Sequence, residues 1–355
     1  MSEFNWCLPM FDDPGPDRAT VRPPTLEHLI GVGEAAEAGG FRALLLGTGW
    51  GQKIEAFATA AALLQHCPSI RALIAVRPGY YHPAAVAKLA ATIDQHTGGR
   101  VLLNVVTGGV PSDLAHYGDI LDHDARYART REFLDIFTAL TQDAGTPLTY
   151  AGQYFSCQDA VLDYGLCGDP RGRIYFGGAS PPARRIAAAH ADTYLMWGLP
   201  LAEAQATVTE IRQLAAAHDR TIRCGMRINI IARPDTQQAW AVAHRMLADA
   251  DPATLNRVRA VAAETDSLGQ QRMFALSSAD TEQGDDSTGT YWTGLGRLRV
   301  GSGTALVGSY QGVATALSQY MRAGIDSFIL ASTPHLQECH RIGKHVLPLL
   351  KTDTP

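Results

Sequence analysis

Arg227 and Asn229 stand two residues apart in Met226-Arg-Ile-Asn-Ile230, inside an otherwise apolar stretch. Alternation along a strand puts both side chains on one face, and a guanidinium there is costly unless it meets a partner. Two more arginines, Arg272 in Gly269-Gln-Gln-Arg-Met273 and Arg299 in Gly296-Arg-Leu-Arg-Val300, lie in a long polar excursion downstream. Arginines converging on a pocket suit a sulfonate, phosphate or carboxylate, because the planar fork matches paired oxygens. The alternative is that each pairs with a structural carboxylate.

A second group consists of small polar residues and glycines placed just after apolar runs. Val101-Leu-Leu-Asn-Val-Val-Thr-Gly108 reads as a buried parallel strand that ends in Asn104, Thr107 and the Gly108-Gly109 pair. Tyr175-Phe-Gly-Gly-Ala-Ser180 opens a helix, where Ala179, Ser180 and free N–H groups make a phosphate site. It lacks the G-x-x-x-x-G-K-[ST] spacing of a nucleotide P-loop. Gly47-Thr-Gly-Trp-Gly-Gln-Lys53 adds an aromatic and the cation Lys53, and Trp197-Gly198 adds an aromatic wall. In Leu121-Asp-His-Asp-Ala-Arg-Tyr127, Asp122 or Asp124 can cap the next helix.

Acid–base and metal chemistry are thinly represented. There is no G-x-S-x-G elbow and no H-E-x-x-H pair. Cys7, Cys67, Cys157, Cys167, Cys224 and Cys339 form no C-x-x-C, so neither zinc, nor any other metal, nor a disulfide framework is expected. A phosphate-ready, aromatic-flanked pocket with few acid–base groups points to a cofactor that brings its own reactivity. Flavin mononucleotide fits, with one phosphate, a polar ribityl chain and a large apolar ring.

The elements that must position these residues recur along the chain. Strand-like apolar runs cover 4–10, 42–47, 71–76, 101–106, 172–176, 193–197, 222–231 and 327–330, and Ala-rich helical stretches alternate with them. The pattern predicts a single α/β domain over 1–355, a (β/α)8 TIM barrel whose candidate residues fall at the strands' carboxyl ends. Two insertions are expected: a hairpin over 148–162, and a lid segment over 235–308 with a polar centre at 277–290. The 355 residues are 46% hydrophobic and 18% charged, enough for a large core. A net charge of −5 argues against electrostatic nucleic-acid binding. No run of 18 apolar residues suggests a membrane span, and the N-terminus reads as a strand rather than a signal peptide, so a cytoplasmic protein is expected.

Seven segments together carry a resemblance over nearly the whole chain: Leu103-Asn-Val-Val-Thr-Gly108, Leu121-Asp-His-Asp-Ala-Arg-Tyr127, Tyr175-Phe-Gly-Gly-Ala-Ser180, Trp197-Gly198, Thr265-Asp-Ser-Leu-Gly-Gln-Gln-Arg-Met273, Gly303-Thr-Ala-Leu-Val-Gly308 and Gly324-Ile-Asp-Ser-Phe328. The chain resembles the bacterial luciferase-like FMN-dependent monooxygenases, and within them the alkanesulfonate monooxygenase group. The resemblance implies reduced FMN delivered by a separate NAD(P)H:flavin reductase, O2 as co-substrate, and a small anionic substrate, a sulfonate split into aldehyde and sulfite. It implies a flavin-contacting set of Asn104, Thr107, Tyr127, Ala179 and Ser180. On the substrate side it implies Trp197, Arg227 and Arg299, with Arg272 on the lid, and association into a homodimer or homotetramer.

Three positions depart from the pattern. Asn229 stands where the family has a histidine, Gly51-Gln-Lys-Ile replaces a stretch that carries a cysteine, and Thr333 replaces a tyrosine. Asn229 cannot shuttle a proton near neutral pH, and Thr333 has no phenol. Oxidation of a non-sulfonate heteroatom or carbon is therefore a second reading. A third is a deazaflavin-dependent oxidoreductase on the same barrel, which would want more cations at the phosphate site. Arg184 and Arg185 are near it but are expected to be solvated surface charges. A non-catalytic flavin-binding scaffold is the remaining alternative.

Overall fold

Eight parallel strands close on themselves in a computed structural model that describes residues 2–15, 20–278 and 289–350. They are β1 (Glu3–Cys7), β2 (Ala43–Leu46), β3 (Arg71–Val76), β4 (Val101–Val106), β5 (Ile174–Gly177), β6 (Thr193–Trp197), β7 (Arg223–Arg233) and β8 (Ser327–Ala331). Each pairs with its predecessor, except that β7 and β1 both pair with β8, which closes the ring. The chain is therefore the (β/α)8 barrel that the alternating pattern predicts. Strand residues alternate between two packing layers, as a two-residue period requires. Leu44 and Leu46 face the helices, while Ala43 and Leu45 join Cys7, Leu73, Leu102, Tyr175, Leu195 and Ile329 in the inner cluster.

The amino ends of the strands are sealed by a polar plug. Glu3 accepts a hydrogen bond from the Tyr175 hydroxyl at 2.6 Å and pairs with Arg71 at 3.1 Å and Arg223 at 3.2 Å. Asn5 Nδ2 donates to Ser327 Oγ at 3.0 Å beside it. The charged groups and the hydroxyls all have partners, the condition for burying them, while among the described residues the Asn5 Oδ1 has none.

The 148–162 stretch forms the antiparallel hairpin Leu148–Ala151 with Ser156–Ala160. Its turn is held by Glu132, which accepts backbone N–H groups of Gln153, Tyr154 and Phe155 at 2.8, 2.8 and 3.0 Å.

The range 235–308 divides into parts with different roles. The helix Thr236–Ala248 and the strand Ala305–Ser309 belong to the wall, where Ala239 and Ala243 pack with Ile231, Trp292 and Val307. Between them lie the helices Pro252–Glu264 and Leu268–Ser277 and a short turn at Gly294–Arg297. Residues 279–288 of the polar centre expected at 277–290 lie outside the described residues.

The long strand β7 forks. Residues 223–227 pair with β6 and 225–229 pair with β8, while 229–233 pair with Ala305–Ser309. Asn229 is in register with both Ala331 and Ala305, so the incoming strand takes the side that β6 leaves after Trp197. That geometry delivers residues 299–304 to the carboxyl end of β6 and β7, the end at which barrels of this kind carry their sites.

The plug gives a stability prediction. Burial alone would raise the Glu3 carboxyl, but the Tyr175 hydroxyl and the Arg223 and Arg71 charges outweigh it and hold it below its ordinary value. A carboxyl depressed in the native state contributes fully above its unfolded value of about 4.3 and stops contributing as pH falls through the native one. Glu3→Gln is expected to cost about 1–2 kcal/mol at pH 7, discounted for the partly exposed arginines. Urea melts at falling pH should show the two proteins converging below pH 4. A cost that persists there would mean the plug acts by packing alone.

Candidate active site

Where the strands end, a cavity of about 390 Å³ opens between Cys7, Leu45, Asn104, Tyr127, Trp197, Arg227 and the segment 299–301. Its described wall contains five arginines, Arg77, Arg184, Arg227, Arg272 and Arg299, and no Asp, Glu, His or Lys. Three of the five are neutralised from behind. Arg77 pairs with Asp113, Arg184 with Glu210 and Arg272 with Glu203.

Arg227 and Arg299 differ. Among the described residues neither has a carboxylate within ion-pair distance. Arg227 Nη2 lies 3.4 Å from Cys7 Sγ, and Arg299 Nη1 donates to Asn229 Oδ1 at 3.0 Å. Burial, and then the neighbouring Arg227 charge, push the Arg299 guanidinium down to about 10. Two guanidiniums facing one cavity without a counter-charge form a receptor for an anion. His335 adds no charge to it: burial pushes its imidazole down to about 4, despite Asp13 and with the help of Arg299.

The fork builds this receptor. Asn229 Nδ2 donates to the carbonyls of Ser302 and Thr304 at 2.9 Å each, while Ser302 Oγ donates to the Arg227 carbonyl at 2.9 Å. Thr304 Oγ1 donates to the Gly198 carbonyl at 3.0 Å, and Gly198 N–H donates to the Arg227 carbonyl at 2.9 Å. Trp197, Arg227 and Arg299 are thus tied through neighbouring backbone.

The opposite side is neutral and polar. Asn104 is buried in β4 with its Oδ1 unpaired. The Tyr127 hydroxyl lies near Ser180 and Thr107, and burial keeps it above the ordinary phenol value. Ser180 caps the helix Pro181–His190, whose first two positions are prolines without N–H groups. At Gly178 a Cβ would meet the Ala183 Cβ at 2.6 Å and the Tyr127 hydroxyl at 3.1 Å, so the backbone packs too closely there for any residue but glycine.

The segment before the helix Leu268–Ser277 is docked onto the loop after β4. Thr265 Oγ1 donates to the Gly109 carbonyl at 2.6 Å, and Asp266 pairs with Arg126. A Cβ at Gly109 would come within 2.5 Å of the Ser267 Cβ, which explains the glycine.

Asn104, Thr107, Tyr127, Ala179, Trp197, Arg227, Arg272 and Arg299 all line the cavity. Four expected residues do not. Lys53 pairs with Asp12 at 2.6 Å on the exposed surface, because the loop after β2 turns outward there. Thr333 is half-buried beyond the end of β8 and is not part of the wall. Asn229 is buried behind Arg299, since residues 299–304 cover it, and it acts on the guanidinium rather than on the cavity. Ser180 is buried beneath Tyr127 and caps its helix.

Arg184 corrects another expectation: it lines the cavity, whereas Arg185 is exposed. Arg77 was not anticipated, although a cation directly after an apolar strand was the available signal. Its partner Asp113 also accepts the Trp50 backbone N–H at 3.0 Å and so joins the loops after β2 and β4.

Among the described residues no cluster of His, Cys, Asp and Glu could hold a metal ion, and no helix is long and apolar enough to cross a membrane. A family model described as luciferase-like monooxygenase matches residues 2–327. Three solved structures share the fold. EDTA monooxygenase from Chelativorans sp. BNC1 is 19% identical with a TM-score of 0.77, the match covering 99% of this chain and 94% of that one. The oxygenating constituent of 3,6-diketocamphane monooxygenase from Pseudomonas putida, in complex with FMN, is 16% identical with a TM-score of 0.70, covering 98% of each chain. An F420-dependent secondary alcohol dehydrogenase is 18% identical with a TM-score of 0.72, covering 98% of this chain and 99% of that one.

An uncompensated guanidinium destabilises the free protein. Arg299→Met is therefore expected to leave the melting temperature unchanged or raise it. The same change should abolish stabilisation by a small organic anion, which in the wild type amounts to about 1.4 kcal/mol at ten times Kd. A melting temperature several degrees lower would instead show Arg299 to be a structural partner.

Proposed function

The chain belongs to the luciferase-like monooxygenase family, and from that membership we propose that it is the oxygenating component of a two-component flavin monooxygenase acting on a small organic sulfonate. The observation that carries this reading is the pair Arg227 and Arg299, without a carboxylate in ion-pair distance among the described residues, at one end of a cavity whose described wall has no ordinary acid or base.

The residues present fit FMN. Among the described residues Asn104 Oδ1 is a buried acceptor without a donor, and Gly177, Gly178 and Ala179 bring backbone to the cavity wall beside Tyr127, where it can approach a phosphate. Asn104, Thr107, Tyr127 and the backbone at Ala179 and Ser180 would hold the group. Reduced FMN supplies the electrons that activate O2. In the net reaction one oxygen atom enters the aldehyde product, the other leaves as water, and sulfite departs.

The chain's own contribution is binding and exclusion. Arg227 and Arg299 hold the sulfonate through charge-assisted hydrogen bonds. Leu195, Met196 and Trp197 give the cavity an apolar wall that keeps water out. Tyr127, held protonated by burial, remains a donor at neutral pH. A separate NAD(P)H:flavin reductase delivers the reduced cofactor, and the barrel associates as a homodimer or homotetramer in the cytoplasm.

A deazaflavin-dependent hydride transfer is the second reading, favoured by the cavity-lining Arg184. Its charge is already taken by Glu210, which among the described residues leaves no unpaired cation beside Gly178 for a longer anionic tail.

Anaerobic titration with FMNH2 should show saturable binding, and admission of O2 with a sulfonate panel should release sulfite. FMNH2 binding without sulfite would exclude desulfonation and leave oxidation of another atom. Tighter binding of reduced F420 than of FMNH2 would establish the second reading. Arg227→Ala is expected to retain flavin binding within about twofold and to lose turnover by about 10²-fold or more, since breaking a charged contact costs several kcal/mol. A melting curve must accompany it, because unfolding would remove both.

A further inference from the structure

Gln270 stands on the first turn of the helix Leu268–Ser277 and lines the cavity, yet it is 2% exposed. Its Oε1 accepts the Gly301 backbone N–H at 2.7 Å. That bond fixes the amide orientation, because only the oxygen can accept from an N–H. The Nε2 is then turned away from Gly301, is buried and, among the described residues, has no acceptor. Buried donors in folded proteins are almost always paired, so an orphan in a cavity wall points to an acceptor that arrives with a ligand.

The position of this donor matters. Gly301 is two residues from Arg299, and both line the cavity. The 299–301 segment is gripped from two sides by carboxamides, with Asn229 holding the Arg299 guanidinium and Gln270 holding Gly301. Arg227, Arg299 and Gln270 thus offer only donors. No described wall residue is a carboxylate that would oppose an anion there.

We propose that Gln270 determines substrate specificity by giving its Nε2–H to a third oxygen of the anion held by Arg227 and Arg299, so that the site prefers a tetrahedral sulfonate or phosphonate to a carboxylate. The inference rests on the reading that the arginine pair binds substrate. Two guanidiniums can engage both oxygens of a carboxylate, and a donor placed apart from them finds no third oxygen on it. A group with three terminal oxygens uses all three. Because Gln270 is carried by the helix and Arg299 by the strand connection, filling the site also ties these two pieces together.

The test is equilibrium binding of butanesulfonate and of pentanoate, chains of equal reach, to the intact protein without reductase or turnover. Calorimetry should show the wild type preferring the sulfonate. Gln270→Met removes the donor at similar volume and is expected to weaken butanesulfonate about tenfold, as loss of one hydrogen bond to a charged group does. Pentanoate should move much less, so the preference collapses. Loss of the Gly301 tie alone would weaken both probes equally and leave the preference intact, which would overturn the proposal. Gln270→Glu keeps an oxygen for Gly301 and loses the donor. It should likewise erase the preference, and an unchanged ratio there would also overturn the idea. If neither probe binds the wild type, the arginine-pair reading falls and this inference with it. If the preference behaves as described but no sulfite forms with FMNH2 and O2, the reaction assigned above is wrong while the role of Gln270 stands.

Discussion

Two like charges held face to face in one cavity are the constraint around which this barrel is arranged. Arg227 and Arg299 would separate, or recruit a carboxylate, if their backbones were free to move. They are not free. The fork in β7 brings residues 299–304 alongside the end of β6, and Asn229 fastens the Arg299 side chain there. The other three cavity arginines are each matched by an acidic residue approaching from outside the wall, Asp113, Glu210 or Glu203. The positive potential is therefore concentrated at one end. Such an arrangement stores unfavourable energy in the free protein and releases it when an anion binds, the usual relation between a preorganised site and stability.

The rest of the fold supplies the stiffness that this demands. At the opposite end of the barrel the opposite charge pattern occurs, with one carboxylate, Glu3, between Arg71 and Arg223 and bonded to Tyr175. Closing the strands on that plug fixes their register, and register fixes which side chains emerge at the other end. The loop after β4 and the 265–267 segment are locked by a close approach that only Gly109 allows. The loop after β4 and the helix Leu268–Ser277, which carry opposite parts of the cavity wall, are thus joined by short-range contacts.

How much of this the chain disclosed follows from the range of each interaction. The buried strands were legible because parallel strands covered on both faces are apolar runs ending in glycine and small polar residues, as Val101–Val106 shows. Helix caps such as Thr25, Asp122 and Ser309 are local and equally readable. Strand-end residues such as Asn104 and Trp197 followed from the barrel itself. What escaped depended on distant partners. Lys53 looked like a site cation until Asp12, 41 residues away, took it up. Arg184 looked like a surface charge, although it lies one turn into its helix and lines the cavity with Glu210 as its partner. Alternation rightly placed Asn229 on the face of Arg227. It could not show that a segment seventy residues on would cover one and leave the other open.

That covering changes what the departure at position 229 means. A histidine there would titrate near neutrality and could exchange protons with whatever lay beside it. A carboxamide has one charge state and, in this geometry, spends its oxygen on Arg299 and its nitrogen on the carbonyls of Ser302 and Thr304. Both of its N–H donors and one lone pair of its oxygen are used, so it holds Arg299 in place, and a carboxamide does no proton chemistry near neutrality. With His335 kept neutral by burial, the charge of the anion-binding end is set by guanidiniums alone. The described wall therefore divides in two, with uncompensated charge at one end and a neutral polar surface at the other, and it holds no Asp, Glu, His or Lys between them.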